Sequence, residues 1–316
     1  MKLGDLGEKN FIKRILNIID EPRNLMKGDD AVDFKVKEVS FIIKADGFSF
    51  VSSKTPWNDY YDLGWKAVTS CISDLAVKGG RPIAVLASIG VLPSYEVEDG
   101  IKLIRAIRDA SHFYSSMFLG GDTNNGEWVD VFCIGEEAKP ISRKGANEGD
   151  PIFYIGELGL TGIAFQMMKR GKDLSSLINK EKVLEAIRRP KAFRLWEVNL
   201  DCIKASTDVS DGLAESLYNL AEANSLGIHL DFELEGQTAM EAIEKGLDIK
   251  EMLFYAGEEF GYLLAVNEEC SKSFKDEVEL RGGKITRIGV FKGNRVEVKW
   301  KGELLERRGW DNLISF

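Results

Sequence analysis

A short apolar run that breaks into two glycines and an aspartate, Phe118-Leu119-Gly120-Gly121-Asp122-Thr123, constrains the fold most. Met117 to Leu119 followed by Thr123-Asn124-Asn125-Gly126 reads as a strand running into a tight polar loop. Glycines there let backbone N–H groups approach a ligand as no side chain would allow. Asp122 then falls beyond the carboxyl end of a strand, where an α/β sheet places its ligands. Gly-Gly-Asp-Thr is also a sound turn by itself. Its weight comes from company, because Asp29, Asp30, Asp46, Asp74, Asp208 and Asp211 recur in similar settings, most of them at strand ends or on tight turns beside Gly or Ser.

The rest of the chain alternates between the two periodicities. Glu8 to Ile19 carries Phe11, Ile12, Ile15, Leu16 and Ile19 at helical spacing. Strands are expected at Val39–Ala45, Arg81–Val91, Met117–Asp122 and Trp128–Glu136, and a helix over Glu96–Phe113. Tyr61 to Lys78 reads as a helix stopped by Gly79-Gly80. One stripe of it is Trp65, Val68, Ile72 and Leu75, and the side around Asp74 holds Ala67, Ser70 and Cys71. A helix small or apolar nearly all round is buried on most sides, so Asp74 is not an ordinary solvated charge.

Pro140 to Asp150 reads as a loop and a domain boundary, giving domains 1–150 and 151–316. The second half opens with a strand at Ile152–Gly156 and a glycine-rich joint, Gly156-Glu157-Leu158-Gly159-Leu160-Thr161-Gly162, that is not a dinucleotide fingerprint. Ser206-Thr207-Asp208-Val209-Ser210-Asp211-Gly212 leads into a helix for which Ser210 is a natural N-cap. Later strands fall at Ile228–Phe232, Gly261–Val266, Ile285–Phe291 and Val296–Trp300. Such alternation in both halves predicts an α/β (α+β) fold.

The balance of 42 basic against 51 acidic residues gives a net charge of −9, which disfavours nucleic acid or an anionic membrane as partner. No apolar run reaches the roughly 20 residues of a membrane span. The N-terminal residues Met1 to Asp5 lack a signal-peptide core, so a cytoplasmic location is expected. The four cysteines, Cys71, Cys133, Cys202 and Cys270, are far apart and read as buried small residues rather than a zinc site or disulfide framework. His112 and His229, the sole histidines, read as packing or surface residues, which excludes a histidine-rich metal site.

Carboxylates brought together repel, and their pKa values rise unless a cation neutralises them. Without His or Cys ligands, the cation suited to them is oxygen-preferring Mg²⁺. Since Mg²⁺ takes one or two carboxylates plus phosphate oxygens, many aspartates suggest several ions around a polyphosphate, hence phosphoryl transfer or ATP activation.

Gly28-Asp29-Asp30-Ala31, Ser73-Asp74-Leu75-Ala76, Gly120-Gly121-Asp122-Thr123, Arg143 to Asp150 and Asp208-Val209-Ser210-Asp211-Gly212-Leu213 occur in the order and rough spacing of the thiamine-monophosphate kinase family. That family belongs to the aminoimidazole-ribonucleotide-synthetase-like ATP-binding superfamily. Ala256-Gly257-Glu258-Glu259-Phe260 resembles its Gly-Gly-Glu-Asp-Tyr segment, and Gly309-Trp310-Asp311 its C-terminal Gly-aromatic-Asp. The resemblance implies ATP-dependent conversion of thiamine phosphate to thiamine diphosphate, with an N-terminal domain that forms a homodimer through its sheet. It implies Mg²⁺ on Asp30, Asp46, Asp74, Asp122, Asp208 and Asp211, with Asp208, Asp211 and Arg143 central to catalysis. Gly120, Gly121, Thr123, Arg143 and Ser210 would contact ATP, and Glu258, Trp310 and Ser53 the thiamine phosphate.

The chain departs from the family in places. Lys44-Ala45-Asp46 stands where the family has Ser/Thr-Thr-Asp, so Lys44 is expected to neutralise phosphate where a metal would otherwise sit. The family's His-Phe falls near Ser53-Lys54, and Gly261 replaces a Glu. The end at Leu313-Ile314-Ser315-Phe316 carries no cysteine of the hydrogenase-maturation type. A related synthetase or kinase acting on another phosphorylated heterocycle, or a non-catalytic ATP–Mg²⁺ sensor, is the alternative reading.

Overall fold

The computed structural model describes residues 2–313, and the terminal segment 314–316 lies outside the described residues. Five strands make the first sheet: β1 (Val32–Val36), β2 (Val39–Ser49), β3 (Gly80–Gly90), β4 (Met117–Asn124) and β5 (Trp128–Glu137), in the order β1-β2-β5-β3-β4. Only β3 and β4 pair in parallel, because the helix Val97–Phe113 carries the chain across between them. The second sheet holds β6 (Pro151–Ile155), β7 (Ile203–Val209), β8 (Ile228–Leu230), β9 (Gly261–Val266), β10 (Ile285–Phe291), β11 (Val298–Trp300) and β12 (Glu303–Leu304). Its order is β12-β11-β8-β10-β6-β9-β7. The mixed α/β architecture matches the expected class. The five residues of β1 were not expected, and the helix at the N-terminus stops at Ile15 rather than Ile19.

The helix Tyr60–Val77 joins the two sheets. Asp59 caps it, accepting from Asp62 N at 2.9 Å, while the Asp62 carboxylate accepts from Asp59 N at 3.1 Å. It ends at Lys78 before Gly79, whose φ of +85° and close approach to the Lys139 carbonyl exclude a side chain. One side of the helix packs on β2 and β5 through Ala67, Val68, Cys71 and Ile72, and Phe153, Tyr262 and Leu264 of the second sheet belong to the same core. The opposite face of the second sheet buries Tyr154, Leu263 and Ala265 under the helices Leu160–Lys169 and Leu213–Asn224. This is why β6 and β9 are buried along their whole length and read as continuous apolar runs.

The cysteine expectation is corrected. Cys71 is disulfide-bonded to Cys133 and Cys202 to Cys270, across sequence separations of 62 and 68 residues. The first bridge forms because the central helix lies on β5, an adjacency that linear spacing conceals. Such bridges persist in oxidising compartments and in intracellular proteins of hyperthermophiles.

Candidate active site

The buried acids meet where β2, the last turn of the central helix and β7 come together. Asp74, on the helix, has its carboxylate beside those of Asp30, on the turn before β1, and Asp208, on β7. One oxygen from each lies within 4.8 Å of the other two. All three residues are buried. Lys44 reaches into this group from β2, with Nζ 2.6 Å from Asp74 Oδ2. Lys78 contacts Asp29 Oδ1 at 2.7 Å and Asp30 Oδ2 at 2.9 Å. Arg143 completes the inner shell, ion-paired to Asp30 and donating to Gly28 O at 2.9 Å. Its backbone N–H also donates to Asp29 Oδ2 at 3.0 Å, and Thr207 Oγ1 to Asp30 Oδ1 at 3.1 Å.

The acids fall into two electrostatic classes. Burial alone would raise Asp30, but Arg143 and Lys78 hold its carboxyl well below the usual range. Burial pushes Asp74 up to about 7, with Asp46 and Asp30 adding to the rise against Lys44. Burial raises Asp208 well above its ordinary value, and the Asp74 and Asp30 charges reinforce it. Asp211 goes up to about 6, mainly through burial; Lys9 opposes the rise, and Glu8, Glu215 and Asp46 add to it. Burial would lower the Lys44 ammonium, yet Asp74, Asp46 and Asp208 raise it. Asp208 is 4% exposed, and no group among the described residues hydrogen-bonds its carboxylate. A buried, oxygen-only donor set with an unpartnered carboxylate fits a hard divalent cation such as Mg²⁺.

The expected site residues do not all converge. Asp30, Asp74 and Asp208 do, and Asp46 and Asp211 lie close enough to enter the same field. Asp122 does not join them. Register places it beside Ser88 on β3, which faces Asp130 on β5, which faces Gly47 on β2. That row lies on the face of the first sheet opposite Lys44 and Asp46, where Asp122 is exposed and accepts from Asn124 Nδ2 at 2.8 Å. Thr123 lies one residue further along the same edge strand.

Gly121 is required by strand packing, since a Cβ there would fall 1.5 Å from Ala87 O. Gly120 faces open space. Ser210 is not the N-cap expected of it; the helix starts at Leu213 after Gly212, and the Ser210 carbonyl instead accepts from Glu258 N at 2.7 Å. Arg143 is ion-paired with Asp29 and Asp30.

On the substrate side, Glu258 Oε1 accepts from Lys66 Nζ at 2.7 Å, and the same ammonium donates to Ser53 O at 3.1 Å. Ser53 and Glu258 are therefore held together by a lysine that sequence reading passed over. Its only signal was a cation within a helix of small and apolar residues, and the same holds for Lys78 ahead of its glycines. Trp310 donates its backbone N–H to Asp211 O at 2.9 Å, so the C-terminal segment abuts the acidic site.

The chain belongs to the AIR synthase related family. Residues 28–136 match the AIR synthase related protein, N-terminal domain, and residues 147–301 the C-terminal domain. Within that family it is similar to thiamine-monophosphate kinases. It is 29% identical over 272 residues to the one from Pyrobaculum calidifontis, covering 85% of this chain and 86% of that one. The enzyme of that name from Aquifex aeolicus is 26% identical over 313 residues, covering 95% of this chain and 99% of the relative. Among solved structures, tt0281 from Thermus thermophilus superposes with a TM-score of 0.89 at 28% identity, covering 97% of this chain and 100% of that one. AaThiL complexed with AMPPCP and TMP shares the fold, with a TM-score of 0.86 at 24% identity and 99% of each chain covered. No described helix is long and apolar enough to cross a membrane.

Proposed function

We propose that the chain is a thiamine-phosphate kinase: it transfers the γ-phosphoryl group of ATP to thiamine phosphate, releasing ADP and thiamine diphosphate. The observation that carries this reading is the convergence of Asp30, Asp74 and Asp208 from separate elements into one buried group. Thiamine-monophosphate kinases along most of the chain's length, and a structural neighbour holding AMPPCP and TMP, support the substrates.

In the reaction a phosphate oxygen of thiamine phosphate attacks the γ-phosphorus of ATP, and the bond to the β–γ bridging oxygen breaks. The chain's part is to position the two anions and balance their charge. Asp208, Asp46 and Asp211 would hold Mg²⁺, which when bound neutralises phosphate oxygens, while Asp74 is already paired with Lys44. Lys78 and Arg143 keep Asp30 ionised by matching its charge. The helix Leu213–Asn224 points its N-terminus toward this end of β7, giving its free N–H groups to phosphate. Lys66 fixes Glu258 against the end of the short helix Phe50–Ser53, shaping the place of the thiazolium.

Residues 1–150 and 151–316 act as the two domains, and two chains pair through the first sheet. The outer face of that sheet supports the pairing: Phe34, Leu86, Leu119 and Phe132 are exposed on it, with no described helix over them. Solvated apolar area of that extent marks an association surface. On that face Asp122 would meet the partner rather than its own chain's cluster. The test is ATP-dependent appearance of thiamine diphosphate from thiamine phosphate with Mg²⁺. ATP binding without turnover overturns the reading.

A further inference from the structure

The acidic site is charged unevenly. Among the described residues, Asp29, Asp30 and Asp74 each touch a fixed cation of the chain: Lys78 on the first two, Arg143 on the same pair, Lys44 on Asp74. Asp46, Asp208 and Asp211 touch none. Lys44 alone among these cations rises from a strand, and its neighbour at i+2 on the same face of β2 is Asp46. Its ammonium therefore enters the site between the acids.

We propose that the Lys44 ammonium occupies the place of a divalent cation at Asp74, so that the chain supplies from its own sequence one of the positive charges around the nucleotide. A Mg²⁺ ion needs its oxygens at about 2.0–2.1 Å in a near-octahedral shell. An ammonium 2.6 Å from Asp74 Oδ2 already fills that direction. The exchangeable ions are left to Asp208, Asp46 and Asp211. A tethered cation neither dissociates nor demands water ligands, so nucleotide binding depends less steeply on free Mg²⁺ than six bare carboxylates would require. Lys44 is thus a positioning residue, setting how many ions the site loads.

The inference rests on the kinase reading only in taking this site as the nucleotide site. Its test is an ion count: free Mn²⁺ is followed by electron paramagnetic resonance while MnCl₂ is titrated into the full chain saturated with AMPPCP. Lys44→Thr and Lys44→Met should each take up one more Mn²⁺ per chain than the parent, and Lys44→Arg the same number as the parent. Methionine keeps the side-chain volume without offering a hard ligand, so an added ion there reports a freed Asp74 rather than a new hydroxyl. Melting curves of each variant establish that it is folded. Equal Mn²⁺ counts in all four proteins overturn the proposal, because Lys44 would then yield Asp74 to an ion in the parent too. Thiamine diphosphate formation by the parent is scored separately, so either idea can fail without the other.

Discussion

The Lys66 ammonium lies 2.7 Å from Glu258 Oε1, tying the helix between the sheets to the loop ahead of β9. Lys66 is 1% exposed and Glu258 26%. The loop is held in an uncommon shape, with φ of +62° at Glu258 and +49° at Phe260. Breaking a buried pair costs about 3–5 kcal/mol, and an exposed one at most about 1. Glu258→Gln should therefore destabilise by about 2 kcal/mol, which a urea-unfolding midpoint measures. Lys66→Met combined with Glu258→Gln should recover most of that loss. Simple addition of the single effects would show that the two charges are not coupled. Glu258→Gln should also raise the KM for thiamine phosphate more than it lowers kcat.

Gly121 and Gly120 separate two explanations for a glycine pair. A methyl group on Gly121 meets the Ala87 carbonyl, whereas one on Gly120 meets nothing. Gly121→Ala should push β4 off β3 and cost on the order of 4 kcal/mol or prevent folding. Gly120→Ala, at φ +109°, should cost only about 1–3 kcal/mol of backbone strain. Thermal denaturation of the two variants decides it, and equal losses would remove the steric account.

The sequence made the aspartates conspicuous, because each sat where a side chain has structural company: a glycine turn, a strand end or an apolar helix. Asp74 could be placed in the interior because its neighbours Ser70 and Cys71 are small. What stayed hidden were relations across long separations. Lys66 meets Glu258 over 192 residues, and Lys78 meets Asp29 across a sheet and a helix. Asp122 looked like its fellows, yet strand register turns it to the far side of the sheet, and register cannot be read from one strand alone. The cysteines went unpaired in the reading for the same reason.

Lys78 is fully buried, and its ammonium serves Asp29 and Asp30 together. Lys78→Met preserves the stem but leaves two interior carboxylates with Arg143 as their one remaining ion-pair partner among the described residues. The expected loss is about 3–5 kcal/mol. Added Mg²⁺ should restore more stability to this variant than to the parent, because the ion then has an unmatched acid to bind. Differential scanning fluorimetry with and without Mg²⁺ reads both effects. An Mg²⁺ response no larger than the parent's would place Lys78 outside the cation site.

The raised carboxyls give the site a signed pH dependence. Burial pushes Asp74 up to about 7 and Asp211 up to about 6 in the folded chain, above the carboxylate value of about 3.9 of an unfolded chain. Between those values the folded state holds protons that the unfolded state has released, so stability without metal falls as pH rises from about 4 to about 7. Asp30 runs the opposite way, its contribution lost only in strong acid as pH falls through its depressed value. Divalent cations bind the ionised acids, so their binding at Asp208 and Asp211 expels protons and tightens with pH. Mg²⁺ should therefore raise Tm more at about pH 8 than at about pH 5. Calorimetric titration near pH 6 in buffers of differing ionisation enthalpy should register net proton release. Asp211→Asn should reduce that release and weaken the Mg²⁺ response. Binding without any proton release would mean that the raised aspartates are not the ones holding the ion.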